Sequence, residues 1–85
     1  MEMIKNAKRR YDVDSIRRKL GVSQEFSATL LGVSRRTWVA RSKSASIGYL
    51  VDFVVAIGGS FDFKPGFEVF LYEDRVVHTK DFIVK

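Results

Sequence analysis

The chain has 85 residues, 46% hydrophobic and 13% aromatic, which is enough apolar material for one small folded domain. It contains no cysteine, and this excludes a disulfide framework and a thiolate metal site. The basic N-terminal segment lacks the apolar run of a signal peptide, and no stretch approaches the roughly 20 apolar residues of a membrane span. We therefore expect a soluble cytoplasmic protein that needs no cofactor.

The formal net charge of +5 is unevenly distributed along the chain. Residues 1–43 carry eleven Lys or Arg against four acids, a net charge of +7, whereas residues 44–85 carry four against six, a net charge of −2. A basic half suits a polyanion such as nucleic acid. A solvated surface that happens to be basic has the same composition, so charge alone does not decide between the two.

Four helices are predicted, each opened by a short polar side chain that caps free backbone amides. Asp12 and Asp14 stand at the start of the first helix, which Gly21 ends. Three serines open the other three helices: Ser23, Ser34 and Ser46. The second helix runs over residues 24–31 and is ended by Gly32, the third runs from Arg35 to about Ser42, and the fourth ends at Gly58-Gly59. On the last helix Phe53 and Val55 add apolar surface outside the main stripe, which consists of Ile47, Leu50, Val51 and Val54.

From Phe61 onward the pattern changes to that of strands. Lys64-Pro65-Gly66 meets the requirements of a type II turn. Residues 67–72 alternate, giving a strand with one apolar and one mixed face, and Glu73-Asp74 is a predicted tight turn. Residues 75–84 are rich in β-branched side chains. The predicted fold class is mainly α with a C-terminal β extension, in which four helices precede a short antiparallel sheet.

The segment from Ser23 to Trp38 has the features that a helix-turn-helix needs. The small Ala28 lets a second helix cross closely, and Gly32 can take the positive φ of the turn. Arg35 and Arg36 are then exposed at the N-terminal end of the second helix, where cations are disfavoured by the helix dipole. In a helix-turn-helix this end enters the major groove, where arginine can donate two parallel hydrogen bonds to guanine.

Two phrases carry a resemblance to a known family: Leu20-Gly21-Val22-Ser23-Gln24 and Leu30-Leu31-Gly32-Val33-Ser34-Arg35-Arg36-Thr37. Over roughly residues 13–59 the chain resembles the Cro/repressor-like (XRE) helix-turn-helix family, although Phe26 and Ser27 reverse that family's polar-then-apolar order. The resemblance implies a four-helix DNA-binding core with a buried Trp38, and base contacts by Arg35, Arg36 and Thr37. The last 25 or so residues are similar to the strand extensions of some antitoxin-type members, which implies a dimer interface.

The resemblance also implies a sugar-phosphate contact by Gln24, and the other predicted phosphate contacts are Ser34, Arg41, Lys43 and Arg18. Arg17 and Lys19 fit a DNA contact or an ordinary exposed helix face. The predicted organisation is a basic arm over 1–11, a helix-turn-helix core over 12–59 and a dimerisation extension over 60–85. The cations of the arm either reach the DNA backbone or a minor groove, or belong to a disordered tail; they are Lys5, Lys8, Arg9 and Arg10.

The apolar excess of the C-terminal half has two interpretations. It forms an intramolecular core, or it partly faces a second subunit. An open sheet has unpaired edges, and two-fold dimers suit operators with two half-sites, so we favour a homodimer. The predicted interface residues are Phe61, Phe63, Phe67, Phe70, Tyr72 and Phe82.

Catalytic and metal-binding interpretations have little support in the sequence. His78 is the only histidine, and metal sites want several ligands. The acidic pairs Asp12 with Asp14 and Glu73 with Asp74 are better explained as caps and turns. The sequence predicts a DNA-binding transcriptional repressor of a bacterium or phage that acts as a homodimer on the nucleoid and has no enzymatic activity. The alternative is an antitoxin-type interaction module that neutralises a partner toxin and autoregulates its operon.

Overall fold

The computed structural model describes residues 9–64 and 67–84. The elements in chain order are helices α1 (Val13–Leu20), α2 (Gln24–Leu31), α3 (Arg35–Ser42) and α4 (Ile47–Ala56), strands β1 (Ser60–Lys64), β2 (Phe67–Tyr72) and β3 (Arg75–His78), and a 3-10 helix (Thr79–Phe82). The predicted fold class, four helices followed by an antiparallel sheet, is confirmed. No helix in the described part of the chain is both long enough and apolar enough to cross a membrane.

The four helices begin at the caps that the sequence predicts. In each case the cap side chain accepts a hydrogen bond from a backbone N–H three residues on; the caps are Asp12, Ser23, Ser34 and Ser46. Such a cap contributes about 1 kcal/mol by pairing an amide that the helix start leaves free. Gly21 and Gly32 end α1 and α2 with φ values of 76° and 70°, a left-handed conformation that favours glycine.

Helix α4 differs from its prediction at its end and on its sides. It stops at Ala56, ahead of the predicted Gly58-Gly59, and Ile57 is its C-terminal cap. Phe53, predicted outside the main apolar stripe, is fully buried, whereas Val55 is 62% exposed. The helix therefore buries a side centred on Leu50, Phe53 and Val54.

The sheet has the strand order β1-β2-β3, with both pairings antiparallel. Phe70 pairs with Phe61 on one side and with Val77 on the other, so these three side chains share one face. Phe70 and Val77 belong to the same buried cluster as Trp38 of α3. The predicted turn at Glu73-Asp74 joins β2 to β3, and the predicted turn at Lys64-Pro65-Gly66 lies outside the described residues.

The third strand is shorter than the β-branched run over 75–84 indicates. Pairing ends at His78, and the 3-10 helix follows with the Thr79 side chain buried. This change of direction places the Phe82 ring 5.7 Å from Nζ of Lys19 and lets the Asp12 amide donate to the Phe82 carbonyl at 2.7 Å. Packing of the C-terminal segment on α1 thus outweighs the β propensity of its residues.

Tyr11 joins the two ends of the chain to the middle of the fold. Its backbone exchanges hydrogen bonds of 2.8 and 2.9 Å with Ala45, between α3 and α4, and it also forms a bridge with Ile83. Its side chain is fully buried. The sequence analysis placed Tyr11 in the basic arm, but in the structure it is part of one core that also includes the sheet.

The contact between the end of α4 and β2 depends on Gly59. A Cβ atom at Gly59 would lie 2.8 Å from Cγ1 of Val54 and 2.9 Å from the carbonyl oxygen of Leu71. We expect Gly59→Ala to lower the free energy of unfolding by about 1–3 kcal/mol, because neither neighbour can move freely. Denaturation by guanidinium chloride measures this change.

Gly48→Ala is the matched control for Gly59→Ala. A Cβ at Gly48 has its nearest neighbour at 3.8 Å, and the residue lies inside α4. Alanine should therefore stabilise the helix by up to about 1 kcal/mol. A Gly59→Ala protein as stable as the wild type would contradict the close approach of Val54 and Leu71.

Candidate nucleic-acid interface

Helix α2 packs against α3, and its two buried residues, Ser27 and Ala28, are small and only 0% and 2% exposed. The hydroxyl of Ser27 is satisfied locally, since it donates to the Ser23 carbonyl at 2.9 Å. Phe26 is instead 54% exposed. The reversed order of Phe26 and Ser27 therefore places a small polar residue inside and an aromatic residue outside.

Trp38 fixes the inner side of α3. Its side chain is fully buried, with ring centroids 5.2 Å from Phe53 and 6.0 Å from Tyr49 of α4. Its indole Nε1 donates to Oδ1 of Asp14 at 3.3 Å. The burial predicted for Trp38 is confirmed, and the opposite side of α3 is left to solvent.

The outer side of α3 carries both predicted base-reading arginines. Arg35 and Arg36 are exposed, and the side chain of Arg36 makes no hydrogen bond to any residue in the described ranges. A shallow apolar depression beside them is lined by Arg35, Arg36, Val39 and Ala40. The sequence analysis missed Val39 and Ala40, although they stand three and four residues after Arg36, which places them on its side of the helix.

A buried carboxylate lies where α1, α2 and α3 meet. Asp14 is 4% exposed, and its Oδ1 accepts hydrogen bonds from Arg17 Nε at 2.9 Å, Gln24 Nε2 at 3.3 Å and Trp38 Nε1 at 3.3 Å. Its Oδ2 accepts from Arg18 Nη2 at 3.3 Å. The prediction that Asp14 caps the helix, as Asp12 does, is wrong for Asp14. The arginines three and four positions after Asp14 were the available signal of its pairing.

Opposing influences act on the pKa of Asp14. Burial is the largest of them and raises the pKa, because it penalises the charged form. Hydrogen bonds from Arg17, Gln24 and Trp38, together with the positive charge of Arg17, lower it, and the net pKa lies below the usual value of 3.8. Asp14 is therefore an ionised group within the core at neutral pH.

The cations of α1 differ in accessibility. The side chain of Arg17 is only 13% exposed, and besides Asp14 it donates to the Val22 carbonyl at 2.9 Å. Arg17 thus stabilises the folded structure and offers little surface to a ligand. Arg18, a predicted phosphate contact, keeps 70% of its side chain exposed. Its ion pair with Asp14 leaves most of the guanidinium accessible.

Gln24 and Ser34, two of the predicted phosphate contacts, make hydrogen bonds within the site. Oε1 of Gln24 accepts from Nε and Nη2 of Arg35, both at 3.3 Å, so the Gln24 amide joins Asp14 to α3. The Ser34 hydroxyl caps α3 and also donates to Oγ1 of Thr37 at 3.0 Å. Of these two hydroxyls, Thr37 therefore has the proton that is free for a ligand, while Ser34 contributes to the local structure.

A pocket of about 190 Å³ lies between the end of α3 and the start of α4. It is lined by Arg10, Arg41, Ser44, Ala45, Ser46 and Tyr49. The buried hydroxyl oxygen of Tyr49 has no hydrogen-bond partner among the described residues. Burial raises the pKa of Tyr49, while the nearby charge of Arg41 opposes the rise. Two guanidinium groups and a neutral hydroxyl form a suitable environment for an anion.

Of the residues predicted for a dimer interface, the structure describes four side chains, one buried and three partly buried within the monomer. Phe70 is fully buried and has no surface to offer a second subunit, which corrects its assignment. Phe61, Tyr72 and Phe82 are half-buried against the core, with Phe61 stacked on Phe70 at 6.0 Å. The predictions for Phe63 and Phe67 concern side chains outside the described part of the structure.

The outer face of the sheet exposes a different apolar pair. Leu71 and Val76 are directly opposite each other on β2 and β3, and are 49% and 56% exposed. Both project from the side opposite Phe70. The sequence pattern contained both residues, but it did not show which face of the strand is covered.

No family model, curated protein or solved structure matches the chain. Within residues 9–64 and 67–84, no three His, Cys, Asp or Glu side chains lie together as a metal site would require. The candidate site is defined by the basic and hydrogen-bonding side chains that α1, α2 and α3 present, among them Arg18, Gln24 and Arg35.

The lowered pKa of Asp14 gives the fold a predictable dependence on acid. Its ionised form stabilises the folded state above pH 3.8, and this contribution is lost as the pH falls through the lower folded-state pKa. We expect Asp14→Asn to reduce the steepness with which the free energy of unfolding falls below about pH 5. Urea denaturation at a series of pH values measures the slope.

The control for this titration is Asp52→Asn, which removes an exposed carboxylate from α4. It should leave the acid dependence close to that of the wild type. Equal slopes for wild type and Asp14→Asn would show that the Asp14 carboxylate is not held in the ionised form by its partners.

Proposed function

We propose that the protein is a sequence-specific double-stranded DNA-binding repressor of transcription, of the Cro/repressor-like helix-turn-helix type, acting as a homodimer. One observation carries the proposal: two exposed arginines begin a helix whose opposite side is fixed in the core by Trp38. The helix follows a turn at Gly32 in the left-handed conformation. This is the arrangement that inserts the start of a helix into a major groove.

Arg35, Arg36 and Thr37 contact bases in this proposal. A guanidinium group can donate two parallel hydrogen bonds to O6 and N7 of guanine. The apolar depression at Val39 and Ala40 suits the methyl group of thymine, whose recognition requires only apolar contact. The outer side of α3 thus combines donors for guanine with an apolar surface for thymine.

Phosphate contacts flank α3 on two sides. Arg18 and the second N–H of the Gln24 amide lie toward α1 and α2, and Arg41 and Lys43 lie at the far end of α3. The pocket lined by Arg10 and Arg41 takes one phosphate oxygen, for which the two guanidinium groups are donors. Such contacts release counterions, so affinity should fall steeply with salt.

The DNA-binding prediction is tested with the duplex upstream of the gene and with duplexes selected from a random pool. Arg36→Ala should weaken binding to the preferred duplex at least tenfold and relax the preference at one base pair. Lys43→Ala should weaken binding to all duplexes alike and reduce the slope of log affinity against log salt by about 1. Fluorescence anisotropy over a salt series measures both effects.

Lys80→Ala is the matched control, because it removes an exposed cation from the 3-10 helix in the acidic half of the chain. Its affinity and salt slope should remain close to those of the wild type. Equal, weak binding of the wild type to selected and scrambled duplexes would overturn the proposed repressor function.

The proposed dimer pairs two copies through the outer face of the sheet. The apolar pair Leu71 and Val76 is exposed there, and a second copy would cover this apolar surface. A two-fold dimer would present two copies of α3 to half-sites about 34 Å apart. On the other face, Phe70 remains in the monomer core, with Phe61 and Tyr72 packed against that core.

Val76→Glu tests this interface by placing a charge within it. The variant should be monomeric at concentrations where the wild type is dimeric. Its operator affinity should fall, because each subunit then binds a half-site without the help of the other. Phe26→Glu, which adds the same charge at an exposed aromatic position on α2, should remain dimeric. Sedimentation velocity distinguishes the two, and a dimeric Val76→Glu protein would exclude this face.

A further inference from the structure

The side-chain amide of Gln24 lies between two groups with opposite hydrogen-bonding requirements. The ionised carboxylate of Asp14 can only accept hydrogen bonds, and the guanidinium of Arg35 can only donate them. Nε2 of Gln24 lies 3.3 Å from Asp14 Oδ1, and its Oε1 lies 3.3 Å from both Nε and Nη2 of Arg35. The amide therefore has a single orientation that satisfies both neighbours.

This orientation determines which donors of Arg35 remain available. The Nε and Nη2 hydrogens that share one edge of the planar guanidinium both point to the Gln24 oxygen. The other pair, one hydrogen on Nη1 and one on Nη2, points along the end of the side chain and is not used by Gln24. A planar pair of parallel donors is what two acceptors on one base edge require.

We propose that Asp14 is a positioning residue for Arg35: through Gln24 it holds the guanidinium so that its end-on donor pair faces a guanine. The inference rests on the proposed function, because it assigns the base preference of Arg35 to a residue that does not touch DNA. Arg36 has no such support among the described residues, so the two arginines differ. Arg35 is preorganised, whereas Arg36 orders only on binding.

The internal partners of Asp14 make it a firm support for this chain of contacts. Arg17 and Trp38 hold the carboxylate from inside the core, with hydrogen bonds of 2.9 and 3.3 Å to the same Oδ1 that Gln24 uses. Of the residues that donate to Oδ1 of Asp14, Gln24 is the one that also accepts hydrogen bonds from Arg35 on the exposed side of α3. A shift of the Asp14 carboxylate would therefore shift the Gln24 amide that donates to it, and the guanidinium of Arg35 would shift with the amide.

Two substitutions separate the acceptor role of Asp14 from its charge. Asp14→Asn keeps an oxygen where Oδ1 now lies and places its amide nitrogen toward Arg18. Asp14→Ala removes the acceptor altogether and leaves Gln24 free to turn. A third variant, Gln24→Met, has a similar length but neither hydrogen-bonding end, and it leaves the buried carboxylate in place.

The first measurement needs no DNA. Nuclear spin relaxation of the arginine Nε–H groups should show Arg35 more ordered than Arg36 in the wild type. The two should become equally mobile in Gln24→Met and in Asp14→Ala, and Asp14→Asn should stay close to the wild type. If Arg35 is already as mobile as Arg36 in the wild type, the positioning role is overturned whatever the DNA results.

The second measurement is base preference, determined by selection from a random duplex pool and by affinity for single-base variants of the selected duplex. Asp14→Ala should reduce discrimination at the base pair read by Arg35 by about fivefold, the worth of one hydrogen bond. It should have no further effect on that base pair in an Arg35→Ala background. Asp14→Asn should restore most of the preference.

A merely structural role for Asp14 predicts a different pattern. Val77→Ala, a buried substitution in the sheet, serves as the stability control and should lower the melting temperature without changing any base preference. If Asp14→Ala weakens binding to all duplexes equally, as a partly unfolded protein would, the inference is wrong. If the wild type selects no sequence at all, the proposed repressor function fails, while the relaxation data still decide whether Asp14 orders Arg35.

Discussion

The carboxylate of Asp14 is the point on which the arrangement of the first three helices depends. A buried charge is tolerated only when an opposite charge and several donors surround it, and removing one of these partners leaves a costly unpaired group. Here the donors come from α1 itself, from Gln24 at the start of α2 and from Trp38 in α3. The same set of bonds that makes the charge acceptable therefore fixes how α2 and α3 sit on α1. The side of α3 that faces solvent follows from this constraint.

The C-terminal segment completes the core. Phe70 and Val77 of the sheet are buried in the same cluster as Trp38 and Phe53, and Tyr11 links both ends of the chain to the connection between α3 and α4. A chain of this size buries a limited fraction of its surface, so a separate sheet without a core would be poorly stable. The sheet thus supports α4, α4 supports the Trp38 ring, and Trp38 holds the helix that carries the two arginines. The outer face of the sheet leaves Leu71 and Val76 exposed, and this is the surface that the proposed dimer would use.

Features that depend on neighbouring residues could be predicted from the sequence, and features that depend on distant ones could not. Ser23, Ser34 and Gly32 act within three or four positions, and each was assigned correctly as a cap or a helix end. The contacts of Asp14 with Gln24 and Trp38 span 10 and 24 residues, and no local pattern indicates them. The same limit explains why Phe70 was wrongly assigned to an interface. The alternation along β2 predicted two faces, but which of them is buried depends on the residues that pack against the sheet. The exposure of single residues on α3, such as Arg36, could be predicted from helical periodicity, whereas the hydrogen bonds of Arg35 to Gln24 could be found only in the folded structure.

The start of α3 carries a charge pattern that works against the stability of that helix. The first turns of α1 and α2 contain the acids Asp14 and Glu25, as the helix dipole favours, while α3 begins with two arginines and has no acid there. Gln24 offsets part of this disadvantage for Arg35 by accepting two of its hydrogen bonds, but no described group does so for Arg36. A sequence shaped by stability alone would place a carboxylate at this position. An anionic ligand at the start of α3 would reverse the unfavourable electrostatics, because its charge would complement both the arginines and the helix dipole. The feature that weakens the free protein thus becomes favourable on the polyanion proposed as its partner.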